Sequence, residues 1–227
     1  MKYLLTGVIG FVFGAAIALG LLYVDPFTQE AGPAPLDSDS VFSYGSPVTS
    51  GLVFTHGGRL RLPVRPDGVP DLWEATIDAS ALSVLVLRGA DGSPAALASR
   101  VSYPDEETEL LAHGALLNDQ WLISVPGQGS ILISSQSNWW PFLKESLIPV
   151  WYLRRPWAGP AVLTPTVGPA PGGLAVVQGA SGSFAGRSGS GSERYQIEQF
   201  DSLVGPRQAY AEIAWRLDEP ATETATD

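Results

Sequence analysis

The chain has 227 residues, 45% of them hydrophobic, with seven Trp, seven Tyr and eight Phe; that suits one good-sized domain with appendages and excludes wholesale disorder. It has no cysteine, which excludes thiolate catalysis, zinc–cysteine sites, iron–sulfur clusters and disulfides together. The net charge of −10 gathers at the ends: residues 48–217 hold 15 acids against 12 bases, so the main body is close to balanced and draws no nucleic-acid backbone.

Residues 3–24, YLLTGVIGFVFGAAIALGLLYV, carry no charge, follow Lys2 and end at Asp25-Pro26. As a helix such a run reaches roughly 33 Å, enough to span the hydrocarbon core of a bilayer. The sequence predicts a retained transmembrane anchor over 1–24 with its N-terminus in the cytoplasm and the remainder periplasmic or otherwise extracytoplasmic. A cleaved signal peptide is the rival, with Ala16-Ile17-Ala18 as the cleavage site. Gly7, Gly10, Gly14 and Ala18 share one face of the helix, and Gly10/Gly14 form a GxxxG pair that allows another helix to approach closely.

Residues 25–47, rich in Pro, Ser and acid, read as a flexible acidic linker, and 218–227 as a disordered acidic tail. Between them, over 48–217, short apolar runs alternate with turn signals. SALSVLVLR leads through Asp91-Gly92 into AALASRVSY, a hairpin signature. WLISV, SILISS, PAVLTPT and LAVVQG follow as strands. Ala209, Ala211, Ile213, Trp215 and Leu217 alternate with Tyr210, Glu212, Ala214 and Arg216 in a half-buried strand pattern. One short helix is expected, around WWPFLKESLI. Many short strands with Gly/Pro turns predict a mainly β domain, an antiparallel β-barrel or sandwich.

The segment "NWWPFLKESLIPVWYLRRPW" has two readings. Its tryptophans are core plugs and a barrel lid, or Trp139, Trp140, Trp151 and Trp157 beside Lys144, Arg154 and Arg155 form a docking surface for lipid headgroups or a partner protein. Asp105, Glu106, Glu107 and Glu109 form an acidic run without an EF-hand pattern, read as a solvated loop. His56 and His113 are the only histidines and show no metal spacing. No cofactor, metal or catalytic residue is assigned.

The stretch VVQGASGSFAGRSGSGS, residues 176–192, invites a dinucleotide-binding reading, but RSGSGSERYQIEQF cannot open the helix that a phosphate needs. A nucleophile elbow would need G-x-S-x-G, and Ser183 stands where its second glycine belongs. The remaining reading is a strand, a glycine corner at Gly179, Gly182 and Gly186, and a returning strand, with Phe184 plugging the core. With PAVLTPTVGPAPGGLAVV before it, this stretch resembles the "GGTGxFxGAxG" corner of the allene oxide cyclase and dirigent-protein barrels, over residues 160–200. The resemblance implies an eight-stranded antiparallel barrel of the calycin or allene-oxide-cyclase kind, whose interior can hold an apolar ligand. Ala180-Ser181 replaces the usual Gly-Thr pair, and no catalytic residue of those families matches.

Three functions are therefore in view. The leading one is a membrane-anchored, non-catalytic accessory or assembly subunit, its partners an integral membrane protein complex and the lipid bilayer. The second is a module binding a lipid, pigment or other apolar molecule inside the barrel. The third is an isomerase or cyclase of the allene oxide cyclase type.

Overall fold

The computed structural model describes residues 2–24, 36–45, 52–56, 71–72, 80–108, 114–151, 154, 157, 159–201 and 205–218; the side chains of 2–6, 22–24, 52–56, 71–72, 147, 151, 201 and 205–207 are not described. The chain opens with helix α1 (Lys2–Val24) and continues almost wholly as strands. Eight of these form a ring: β1 (Ser40–Gly45), β4 (Ala81–Arg88), β5 (Pro94–Pro104), β6 (Leu116–Val125), β7 (Gly129–Asn138), β10 (Ala175–Gly182), β11 (Ser188–Asp201) and β12 (Gly205–Leu217). Every neighbouring pair in the ring is antiparallel, and the β1–β4 pairing at Ser43 and Arg88 closes it. A closed ring leaves no free edge for another chain to extend. The protein is thus a closed, antiparallel, eight-stranded barrel. Strand β2 (Leu52–His56) pairs antiparallel with the first half of β4, and β3 (Asp71–Leu72) pairs parallel with β2; β8 (Ala161–Leu163) pairs with β11 and β9 (Thr166–Gly168) with β7, filling the gap above the short β10.

Period-two patterning decides which side chains enter the barrel. On β12, Ala209, Ala211, Ile213, Trp215 and Leu217 are buried while Tyr210, Glu212 and Arg216 are exposed, the alternation visible in the sequence. Leu85, Leu87, Ala98, Ile123, Val125, Ile131, Ile133, Val177, Ile213 and Trp215 pack the end of the barrel where hairpins β4–β5, β6–β7 and β10–β11 turn. The SGSG run that opens β11 has a steric purpose there. A Cβ on Gly191 would stand 3.1 Å from the Ala214 carbonyl oxygen and 3.2 Å from Val177 Cγ2, so glycine lets β11 lie close to its neighbours; on β12, Trp215 stacks on Phe42 at 4.9 Å between centroids.

The first barrel strand lies inside the segment expected to be a linker. Residues 40–45, SVFSYG, alternate as a strand does, and Phe42 and Tyr44 pack into the core, so the folded domain begins before residue 48. The Asp91-Gly92 hairpin has its expected form, with Gly92 at φ +76° and Asp91 Oδ1 accepting the Ser93 amide at 3.0 Å. The predicted short helix runs from Trp140–Phe142 through a π-helical turn at Leu143–Leu147 to Ile148–Trp151.

Helix α1 stands apart: a Cβ added at Gly7, Gly10 or Gly14 meets nothing within 4 Å, and Phe11 and Phe13 are exposed. Among the described residues no helix is long and apolar enough to cross a membrane.

Candidate functional site

The interior is not apolar throughout. One step further along the inward-facing rows, β5 presents Arg100 and Ser102 after Ala96 and Ala98, β6 presents Asp119 after Ile123 and Trp121, and β7 presents Ser135 and Ser137 after Ile131 and Ile133. From β11 come Glu193 and Tyr195, and from β1 Tyr44. Register alone brings these residues together: Arg100 lies opposite Trp121, Ser102 opposite Asp119, and Tyr195 opposite Ala211, whose other neighbour is Tyr44. Arg100 is 5% exposed, Glu193 3% and Asp119 0%.

Arg100 is the hub. Its Nε donates to Asp119 Oδ1 at 2.9 Å, and its Nη1 donates to Tyr195 Oη at 2.8 Å and Glu193 Oε1 at 3.2 Å. The guanidinium lies 4.9 Å from the centroid of the Trp121 ring, a cation–π contact on one face. Asp119 is saturated from its other side, since Ser102 Oγ donates to Oδ1 at 2.5 Å and Ser137 Oγ to Oδ2 at 2.7 Å. The Glu193 amide donates to Thr166 Oγ1 at 2.9 Å, and the Tyr44 hydroxyl sits against both Glu193 Oε1 and, at 3.1 Å, Tyr195 Oη.

The protonation states follow from this geometry. Burial works against the Arg100 charge, but Asp119 and Tyr195 outweigh it and hold the guanidinium above its ordinary pKa, so it stays charged. Burial pushes the Glu193 carboxyl up to about 8, against a smaller downward pull from the Tyr195 hydroxyl. Arg100 Nη1 at 3.2 Å also favours the ionised form, yet Arg100 already has Asp119 as its counter-ion. A second carboxylate would leave the cluster with a net negative charge in a desolvated interior, which favours the uncharged form of Glu193 at neutral pH. A protonated Glu193 can donate to Tyr44 Oη, which frees the single Tyr44 proton for Tyr195. Burial likewise raises the Tyr195 phenol, with Arg100 opposing, and that phenol stays protonated.

Above the cluster sits an aromatic layer. Phe142, Ile197 and Ala209 form a second core with Trp139, Leu143, Trp157, Leu163 and Phe200 against it. Trp139 joins the layers: its ring meets Tyr195 edge-on at 5.0 Å, and its Nε1 donates to Ser137 Oγ at 3.1 Å. The charged residues are therefore sealed between a packed base and an aromatic lid. Three buried polar atoms of that lid region, Trp140 Nε1, Ser146 Oγ and Trp157 Nε1, take no hydrogen bond among the described residues. Each such group is expected to weigh against the closed packing by ~1–3 kcal/mol.

The residues singled out from sequence fall as follows. Trp139, Trp140 and Trp157 pack inward in the lid, and Trp140 is buried. Arg154 is exposed, with φ +49°; the Trp151 side chain and all of Arg155 lie outside the described residues. Gly182 and Gly186 have φ of +64° and +73°, and Phe184 packs on the core. A Cβ on Gly179 would fall 1.6 Å from the Phe184 carbonyl oxygen, so the corner closes on glycine there. The glycine face of α1 has no neighbour among the described residues. His113, Glu109 and the His56 side chain lie outside the described residues, and Asp105 caps its own loop by accepting from Asn118, Gln136 and the Glu107 amide. The sequence reading assigned no role to Arg100, Asp119, Glu193, Tyr195 or Tyr44. Strand parity was the available signal, because each shares its inward row with the apolar residues two positions away.

No protein-family model matches the chain, and no curated protein matches it. Among solved structures it is similar to a nonspecific heme-binding cyclase that catalyses [4 + 2] cycloaddition during neoabyssomicin biosynthesis, with 11% identity, a TM-score of 0.42, and 85% of this chain against 73% of that one covered. It is also similar to the Diels–Alderase AbmU of Streptomyces koyangensis, with 11% identity, a TM-score of 0.41, and 84% against 74% covered. Likenesses of this size carry no activity across. The leading expectation, a non-catalytic accessory subunit, is corrected on the structure itself: Arg100, Asp119 and Glu193 are gathered inside the barrel rather than on a docking face.

Proposed function

We propose that the chain is a ligand-processing barrel, in which a small, largely apolar molecule held beneath the aromatic lid is isomerised or cyclised with Glu193 as the acid. The observation that carries this reading is a carboxyl at the centre of a closed barrel, hydrogen-bonded to Tyr44 and beside Arg100, which burial raises to about 8. Stability alone does not call for such a cluster, because apolar residues of similar volume commonly stabilise a core as well as or better than a buried charged network. A carboxyl with a pKa near neutrality is suited to give and retrieve a proton. In this mechanism Glu193 transfers its proton to the bound molecule, and Arg100 Nη1 and the Tyr44 hydroxyl stabilise the carboxylate left behind. After the bonds rearrange, the ligand returns a proton to Glu193, so the product is an isomer of the substrate. The π-helical turn and the unpartnered polar atoms of the lid support its opening to admit the ligand.

The test uses an organic extract of the native cells, incubated with the full chain. Bound compounds are recovered and compared by mass and retention. Wild type should retain an apolar compound and return it at the same mass with altered retention, and Glu193→Gln should retain it unchanged. Retention without conversion by wild type reduces the reading to a carrier. No retention beyond a denatured control rejects it.

We further propose that residues 3–24 are a retained anchor with the barrel on the far side of the membrane. Support comes from the absence of charge in that run and from the exposure of Phe11, Phe13 and Leu19.

A further inference from the structure

We infer that the ligand carries a neutral carbonyl oxygen, and that this oxygen docks on Nη2 of Arg100; the inference rests on the ligand-holding reading above. A guanidinium has five N–H donors. Nε engages Asp119 at 2.9 Å, and Nη1 engages Glu193 at 3.2 Å and Tyr195 at 2.8 Å. The two N–H groups of Nη2 take no partner among the described residues, although Arg100 is only 5% exposed. Unlike the indole nitrogens of Trp140 and Trp157, Nη2 is not fully enclosed, so the small exposed part of Arg100 reaches it and an acceptor arriving there completes the guanidinium's hydrogen bonding. Trp121 covers one face of the guanidinium at 4.9 Å and protein partners occupy Nε and Nη1, so an acceptor meets the guanidinium at Nη2.

Charge balance selects the acceptor. Asp119 already neutralises Arg100, and Glu193 lies within 3.2 Å of Nη1. A ligand carboxylate would bring a further acid into this desolvated space. A ketone, ester or lactone oxygen accepts the two free N–H groups and adds no charge. The remainder of the ligand meets Trp139, Phe142, Trp157 and Phe200, which suits a hydrocarbon skeleton.

The test compares decyl methyl ketone, dodecane and dodecanoate, three probes of one chain length, by equilibrium partition onto the full chain at neutral pH with gas-chromatographic detection. Arg100→Lys keeps a cation for Asp119 but removes Nη2; its fold is checked by circular dichroism. The ketone should bind wild type at least about ten-fold tighter than dodecane or dodecanoate, and Arg100→Lys should erase its advantage over dodecane. The wild-type series stands on its own if the variant fails to fold. Equal binding of ketone and alkane, tightest binding of dodecanoate, or a ketone advantage that survives in Arg100→Lys each overturns the oxygen anchor while leaving an apolar site in place. Retention of none of the three rejects the ligand-holding reading itself, and this inference with it.

Discussion

Glutamine at position 193 should change how stability depends on pH. In the folded chain the Glu193 carboxyl is raised to about 8 from an ordinary 4.5 by burial. Between those values the unfolded chain has released this proton while the native chain retains it, so the native state binds more protons and stability falls as pH rises. The contribution is fully present below the unfolded pKa and is lost as pH climbs through the folded one. The limiting slope is about 1.4 kcal/mol per pH unit for one group. Over the three units from about pH 5 to about pH 8, wild type should therefore lose roughly 3–4 kcal/mol that Glu193→Gln does not lose. Arg100 at 3.2 Å favours the carboxylate, so this is an upper figure. The assay is urea unfolding of both proteins at intervals across that range, and the subtraction removes the surface carboxylates common to both. Parallel stability profiles would refute the reasoning, because they would mean that Glu193 ionises in the folded barrel as easily as in water.

Three further outcomes follow from the same structure. Gly182→Val places a β-branched residue at φ +64° with its Cβ 2.1 Å from the Gln128 carbonyl oxygen, and should destabilise the barrel by ~3 kcal/mol or more in urea; Gly186→Ala, where nothing lies within 4 Å, should lose only ~1–2 kcal/mol. Asp119→Asn removes the counter-ion of a buried guanidinium, which should weaken folding by ~3–5 kcal/mol in the same assay, and should lower the Glu193 pKa as Glu193 takes over the pairing. For the anchor, protease added to intact spheroplasts should cut within residues 25–35, and protection of that segment would reverse the topology.

The barrel was legible because its information is local. A period of two on β12, Asp-Gly at a hairpin and glycines that admit positive φ are each readable within a dozen residues. The cluster was not, because Arg100 and Asp119 are 19 residues apart and Arg100 and Glu193 are 93 apart; only strand register joins them. In isolation ALASRVSY and SGSERYQI read as ordinary half-buried strands with a charge on the solvent side. Parity with Ala96 and Ala98, or with Ile197, puts the charge on the inner side, but one residue of register error reverses that assignment. The tryptophan-rich segment posed a different problem. Its composition fits a lid and a docking face equally, and only the packing of Trp139, Phe142 and Trp157 above Tyr195 turns these rings inward. Strand β1 was hidden by its acidic, Pro- and Ser-rich flank, which masked the inward pair Phe42 and Tyr44.

The most direct test of an uncharged acid waiting in a ligand site is carbon NMR of the chain labelled at its glutamate side-chain carboxyls, titrated with and without decyl methyl ketone. One resonance, absent in Glu193→Gln, should remain that of a protonated carboxyl through neutral pH and should shift when the ketone is added. If every glutamate carboxyl titrates in the ordinary acidic range, or if the Glu193 resonance ignores the ketone, the central claim is contradicted.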